Sequence, residues 1–501
     1  MSKERYKLVS PSAKNLESTY DAVVTVVSWV KGNKDWKAFL SGSHAEQTEV
    51  LKLIKRKELK LEAGTVLSFD RTVMQRAILL LSDPVFSTFK RLGLAKDIVL
   101  GLKELKAGRI LINLDALSPA ETSFWVDAFA AALKVAEFVA PHYGVKPKGA
   151  EFSPLVDFRV SDTKACAELL ARSMAEADGT NLVRELAMLA GNDLTPKNYV
   201  ARLKEEAASE GLAFAFFGVK KLQQMKAGAF LAVVQASDEL DAGIVKLSYV
   251  PKNKKTQKSL ALVGKGITFD TGGTNLKAAA HMYSMHKDMT GSAVAYALVR
   301  LAAREKWAFP VTAYLAIADN LTGAKAYRPN DVVTAMSGRT IEIVHTDAEG
   351  RMVLADTLYL ASQDEPDLIV DFATLTGSCV GAVGTNVSGV FTNRPLFHNQ
   401  IIESGVVSGE RVWPFPLDDD YGECLKSDIA DTKQCRLTGG VDHIEAAIFL
   451  KSFLAKDVPW VHVDLSAADR TGGLAHVDTE ATGFGVRFAA ELVRAWFKLI
   501  K

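Results

Sequence analysis

The sequence predicts an α/β protein in two parts. A smaller N-terminal α/β domain takes residues 1–155, and a larger C-terminal domain takes 156–501, built as a mixed sheet covered by helices on both faces. Three observations lead there. At 501 residues and 48% hydrophobic, the chain is long enough to bury more than one core. Its second half alternates strand-like and helical apolar runs, the pattern of a sheet held between helices. Between the halves, HYGVKPKGAEFSPLVDFRVSD (142–162) mixes glycine, proline and polar residues around one short strand, as a linker does.

In chain order, DAVVTVVSWV (21–30) reads as a strand from its β-branched run. KLIKRKELKLEAG (52–64) is a charge run and reads as solvated surface. SPAETSFWVDAFAAALKVAEFV (118–139) reads as a helix, with Ser118 as its cap, Pro119 in the first turn and Glu121 completing a capping box. TPKNYVARLKEEAASEG (195–211) is a capped helix that stops at glycine. Further on, the strand-like runs are AFLAVVQAS (229–237), SLALVGKGITFD (259–270), FPVTAYLAIA (309–318) and DLIVDFATL (367–375). Helical runs include GSAVAYALVRLAAREK (291–306) and GRMVLADTLYLASQ (350–363). Polar residues just past the strand ends of such a sheet are candidates for a site.

Composition narrows the function classes. Net charge is +1, from 60 basic and 59 acidic side chains, so nothing points to nucleic acid or an anionic membrane as partner. No apolar run is long enough to span a membrane. MSKERYKLVSPSAKN lacks the apolar core of a signal peptide, and Cys166, Cys379, Cys424 and Cys435 form no C-x-x-C pair. A reducing, cytoplasmic setting is the expectation.

Three segments concentrate unusual chemistry. GKGITFDTGGTNLK (264–277) supplies Lys265, Asp270 and Lys277; MYSMHKDMTGSAV (282–294) supplies Asp288; HTDAEGR (345–351) supplies Asp347, Glu349 and Arg351. Taken singly, each has an ordinary reading. Asp288 and Glu349 suit helix N-termini, Lys265 can be paired in an apolar strand, Lys277 can be exposed in its turn, and Arg351 can partner Asp347. Together they form a different pattern. Four carboxylates packed without a cation would raise one another's pKa, and two divalent cations would resolve the conflict. Oxygen ligands suit magnesium, manganese or zinc, and such a pair can activate a water and polarise a carbonyl. His281, His286 and His345 lack H-E-x-x-H spacing, and supporting or structural roles fit them better than ligation.

HTDAEGR resembles the NTDAEGR signature of the leucyl aminopeptidase family, the dinuclear cytosol aminopeptidases, with His345 in place of the usual asparagine. VGKGITFDTGG, the stretch ending in KDMTGSA, and DFATLTG (371–377) match in the same order, and the similarity covers about 175–490. The resemblance implies a metallo-aminopeptidase acting on peptides with a free α-amine. It implies two manganese or zinc ions, one on Asp270, Asp347 and Glu349 and the other on Lys265, Asp270, Asp288 and Glu349. Lys277 would stabilise the gem-diolate and Arg351 would hold a bicarbonate ion serving as base. Met285, Thr374, Leu375 and Gly377 would contact substrate, and the assembly would be a homohexamer.

One stretch departs from the family. HVDLSAADRTGG (462–473) resembles a region that usually reads HxDIAG and then supplies an apolar pocket residue, often methionine. Asp469 falls at that place here. Either the loop shifts and Asp469 faces solvent, or it lines the pocket and favours N-terminal lysine or arginine over leucine. Two rival functions stay in view: a dinuclear phosphohydrolase on the same acids, and DNA binding, which some bacterial relatives also perform and which the charge balance disfavours.

Overall fold

A computed structural model of the chain describes residues 5–11, 19–29, 52, 61–72, 75–145, 151–237, 241–252 and 258–498. The chain forms two units, Met1–Ala177 with Ala475–Asp478, and Asp178–Leu474 with Thr479–Lys501.

In the first unit, β1 (Tyr6–Val9), β2 (Ala22–Ser28), β3 (Val66–Thr72), β4 (Gln75–Ser82), β5 (Arg109–Asn113) and β6 (Leu155–Arg159) make one sheet in the order β1-β6-β5-β2-β4-β3. Every neighbouring pair is parallel except β3 with β4. The valines of β2 are buried at 23, 24, 26 and 27, and burial on both faces is what a parallel strand needs. Helices α1 (Thr88–Glu104) and α2 (Pro119–Ala136) complete this core. Ser118 caps α2 by accepting from Glu121 N, and its hydroxyl donates to the Glu121 carboxylate at 2.8 Å. The box therefore also closes side chain to side chain. The segment 142–162, expected to link the domains, holds β6, whose Val156 and Phe158 are fully buried and which pairs with both β1 and β5. The chain stays in this unit to residue 177. Most of the charge run at 52–64 lies outside the described residues.

The second unit opens with the C-terminal part of helix Thr163–Met188 and with α3 (Pro196–Glu210), capped by Thr195 and stopped by Gly211 at φ +70°. Its main sheet runs β15-β14-β17-β13-β9-β10-β8-β7. These strands are β7 (Ala213–Gly218), β8 (Gly243–Tyr249), β9 (Leu260–Asp270), β10 (Val311–Asn320), β13 (Leu368–Ala373), β14 (Ser388–Thr392), β15 (Val412–Pro414) and β17 (Trp460–Asp464). The middle four, β17, β13, β9 and β10, are parallel, and β7 and β8 run antiparallel at one edge. A second, three-stranded sheet holds β11 (Val332–Thr334), β12 (Thr340–Glu342) and β16 (Thr432–Lys433).

Strand β9 shows how helices cover both faces. A Cβ on Gly264 would lie 2.5 Å from Ser292 Cα, so the glycine lets a helix backbone sit directly on the strand. That helix is α5 (Thr290–Glu305). The next residue, Lys265, points to the opposite face and meets Gly350 of α6 (Glu349–Ser362). The expected mixed sheet with helices on both faces is what forms.

One expected strand is a helix. Residues 229–234 of AFLAVVQAS (229–237) lie in α4 (Gly228–Val234). A short apolar run does not distinguish the two states by periodicity. A long-range contact decides here: the Asp356 carboxylate accepts from Phe230 N at 2.9 Å, satisfying a free donor of the first helical turn.

Candidate active site

The strands that flank β9 on its two sides, β10 and β13, reach it by different connections, and the crevice at their C-terminal ends gathers the polar residues. Lys265 lies within β9 and Asp270 ends it. Asn320 ends β10 in register with Asp270 and donates to Asp270 Oδ1 at 2.8 Å. The chain then turns through Gly272 and Gly273, at φ +86° and +66°, with Gly272 N donating to Asp270 Oδ1 at 2.8 Å. This turn is tied to the HTDAEGR loop: Thr346 Oγ1 donates to Gly272 O at 2.6 Å, and Thr346 N donates to Asn275 Oδ1 at 2.9 Å. His345 Nδ1 accepts from Asp347 N at 3.3 Å. Glu349 and Arg351 then fall in the first turn of α6.

These ties bring the acids together. Oxygens of Asp270, Asp347 and Glu349 lie within 4.8 Å of one another. Lys265 Nζ lies 2.8 Å from Asp288, 2.9 Å from Glu349 Oε1 and 3.0 Å from Thr374 O. Lys277 Nζ lies 2.9 Å from Asp270 and 2.5 Å from Asp347. Four carboxylates therefore share two ammonium groups, so two of them have no cation of their own in a largely buried place. Glu349 Oε2 is buried with no hydrogen-bond partner.

The electrostatics record the conflict. Burial, then the neighbouring Asp270 carboxylate, push Glu349 up to about 8. Burial lifts Asp288 to about 6 against the pull of Lys265, and burial with Asp270 raises Asp347. Burial alone would lower Lys265 and Lys277, yet the surrounding carboxylates raise both. A cation of charge +2 or more among these oxygens would reverse the penalty. The donor set fits a hard or borderline divalent ion.

The same residues line a cavity of about 940 Å³. Met285, Thr374, Leu375 and Gly377 lie on its wall with Lys277, Arg351 and Asp469. His281 and His345 also line it. Thr374 Oγ1 donates to Asp288 Oδ1 at 2.7 Å, which sets the β13 end against the Asp288 turn. Asp464 holds the same segment by accepting from Leu375 N at 3.2 Å and Thr376 Oγ1 at 2.7 Å. Asp469 is half exposed on the cavity wall, with Lys287 Nζ at 2.8 Å from its carboxylate.

Sequence reasoning did not find Asn320, Asp464, Lys287 or Asp442. Asn320 and Asp464 had a signal, since each ends a strand of the parallel core. Asp442 had a weaker one, an acid in a first helical turn. Arg351 Nη2 donates to Asp442 Oδ1 and Oδ2 at 2.8 and 2.9 Å, so it is Asp442 and not Asp347 that meets this guanidinium.

The model of the catalytic domain of the cytosol aminopeptidase family matches residues 181–490. The chain belongs to that family. The probable cytosol aminopeptidase of Chlorobaculum tepidum is 40% identical over 319 residues, which is 63% of this chain and 62% of that relative's length. Among solved structures, the bottromycin maturation enzyme BotP in complex with Mn is 29% identical with a TM-score of 0.79, covering 95% of this chain and 99% of that one. A mutant of tomato leucine aminopeptidase, 24% identical, shares the fold with a TM-score of 0.85 over 98% of this chain and 96% of its own. Among the described residues no helix is long and apolar enough to cross a membrane.

Proposed function

We propose that the chain is a dinuclear metal-dependent aminopeptidase that removes the N-terminal residue from peptides with a free α-amine. The observation that carries this reading is the buried cluster of Asp270, Asp347 and Glu349, with more carboxylates than the two lysines neutralise. Asp270, Asp347 and Glu349 would hold one divalent ion, manganese or zinc. Lys265, Asp270, Asp288 and Glu349 would hold the other, with Lys265 giving its amine in place of the proton it now shares with Asp288 and Glu349. Two such ions supply Lewis acidity for the scissile carbonyl and lower the pKa of the attacking water.

The protein's own groups supply the rest. Lys277 is held at the cavity wall by Asp270 and Asp347, where a fixed positive charge stabilises a carbonyl oxygen as it becomes anionic. Met285, Thr374, Leu375 and Gly377 would seat the first residue of the peptide. A free α-amine would be a further ligand for the pair of ions, which is the basis of the expected selectivity for unblocked N-termini. Asp469 would extend the pocket's acceptance toward lysine and arginine, tempered by its pairing with Lys287. All of these residues belong to the second unit, which is the catalytic part in this reading.

The test is hydrolysis of an aminoacyl-anilide panel after metal removal and again after adding manganese or zinc. Expected is loss and recovery, with no turnover of N-acetylated analogues. Metal-dependent cleavage of a phosphomonoester without anilide cleavage would overturn the reading in favour of a phosphohydrolase. The reading includes a homohexamer in the cytosol, for which the support is family membership. A sedimentation profile showing only the 54.3 kDa species at micromolar concentration would remove the hexamer.

A further inference from the structure

The short turn Met285–Lys287 brings both Met285 and Lys287 to the cavity wall. Its backbone is fixed on both sides. Ser284 precedes it at φ +75°, Lys287 N donates to Ser284 O at 3.1 Å, and Thr290 Oγ1 donates to Lys287 O at 2.6 Å. Lys287 Nζ lies 2.8 Å from Asp469 Oδ2 and 3.7 Å from Glu480 Oε2. These two acids come from neighbouring antiparallel segments, joined by a bridge between Asp469 and Ala481 and by Arg470 N donating to Glu480 O at 2.9 Å. All three charged groups line the cavity. The lysine is 19% exposed, whereas Asp469 and Glu480 are 49% and 61% exposed. Two open carboxylates thus share one mostly covered ammonium. Arg470 also lines the cavity, but its guanidinium is engaged by Asn386 Oδ1 at 2.7 Å and by the Thr471 and Gly473 carbonyls.

We infer that Lys287 is a specificity-determining residue that acts as an internal competitor: a basic first residue takes Asp469 only as Lys287 gives it up and falls back on Glu480. The inference rests on the aminopeptidase reading. A lysine is suited to giving way, because its ammonium is a point charge on a flexible stem with no fixed fork to break. The pair it leaves is half exposed and therefore weak. Two carboxylates can serve two cations, so an incoming lysine or arginine is matched without leaving Lys287 unpaired. An aliphatic first residue instead meets the wall with Asp469 already neutralised, beside Met285 and Leu375. The pocket therefore takes both classes, and the balance between Lys287, Asp469 and Glu480 sets their ratio.

The experiment uses the metal-loaded full chain as wild type, Lys287→Met, Lys287→Gln and Glu480→Gln. Lysyl, arginyl, glutamyl and leucyl anilides give kcat/KM, with the leucyl substrate as reference, and L-lysine and L-norleucine are titrated into each protein by calorimetry. Both Lys287 variants should raise the ratio of basic to leucyl substrates by about threefold to fivefold, carried mainly by KM. Glu480→Gln should lower that ratio by a similar factor, because Lys287 then has no second carboxylate to move to. The affinity of L-lysine relative to L-norleucine should follow the same order. A ratio that stays put or falls in the Lys287 variants would overturn the inference, as would an equal loss on all substrates or an unmoved ratio in Glu480→Gln. So would a wild type that prefers the glutamyl substrate to the lysyl one, since Lys287 would then be a receptor for acidic residues. Leucyl cleavage with an unmoved ratio defeats this inference alone. No cleavage of any anilide defeats the aminopeptidase reading, and the titrations still report whether Lys287 competes with L-lysine.

Discussion

A Cβ on Gly350 would stand 2.8 Å from Lys265 Cε. The first turn of α6 therefore tolerates only hydrogen at this point if Lys265 is to reach Glu349 and Asp288 at 2.9 and 2.8 Å. Glycine costs a helix about 1 kcal/mol relative to alanine, so the position gives up helix stability for the lysine's placement.

Gly350→Ala is expected to fold, because the atom it strikes belongs to a side chain that can move. It should lose about tenfold to a hundredfold in turnover, since displacement of about 1 Å in a catalytic constellation is that costly. Circular dichroism, metal content and anilide turnover check this. Full turnover with two metals retained would show that Lys265 is not held by this contact.

Glu349→Gln should also fold, since the side chain keeps its shape in a fully buried place. Loss of its charge removes one of the two carboxylates common to both proposed metal sets, so metal content should fall and most activity with it. Near-normal peptide hydrolysis with two metals bound would sink the assignment.

Asp356 lies apart from the cavity lining and gives a pH dependence of its own. Burial pushes it from 3.8 to about 7, although it accepts from Phe230 N and Met336 N. A raised carboxyl favours the protonated folded state. Its contribution to stability is therefore complete below about pH 3.8 and is lost as pH rises through about 7. Against Asp356→Asn, wild type should lose up to about 1.4 kcal/mol per pH unit across that window. Denaturant melts at a series of pH values measure it, and a constant difference from pH 4 to 8 would contradict the account.

Asp469→Met should lower the ratio of basic to aliphatic substrates in kcat/KM. Asp469 is 49% exposed and already meets Lys287, so the change should be modest, about 1 kcal/mol or several-fold. Leucyl, methionyl, lysyl and arginyl anilides are the comparison. An unmoved ratio would place Asp469 outside the selectivity of the pocket.

The parts legible in the sequence are those carried by neighbouring residues. Ser118 and Thr195 announce their helices because a cap acts over three residues. The four long runs around Lys265, Asp288, Glu349 and Thr374 carry the site residues because each holds its group at one strand end or helix start. β9, β10 and β13 follow from predominantly apolar runs, as doubly covered strands must, with Lys265 the charged exception inside β9.

What the tertiary structure alone decided lies between segments. Residues 228–234 are helical because Asp356, far along the chain, takes an amide of the first turn; the run itself is equally apolar in either state. β6 joins the first sheet because Val156 and Phe158 find neighbours on β1 and β5. Arg351 finds Asp442 from 91 residues away, and Lys287 finds Asp469 from 182. Local spacing encodes helix, strand and motif, whereas the partner of a buried charge depends on which strand ends and helix starts the sheet order brings to one crevice.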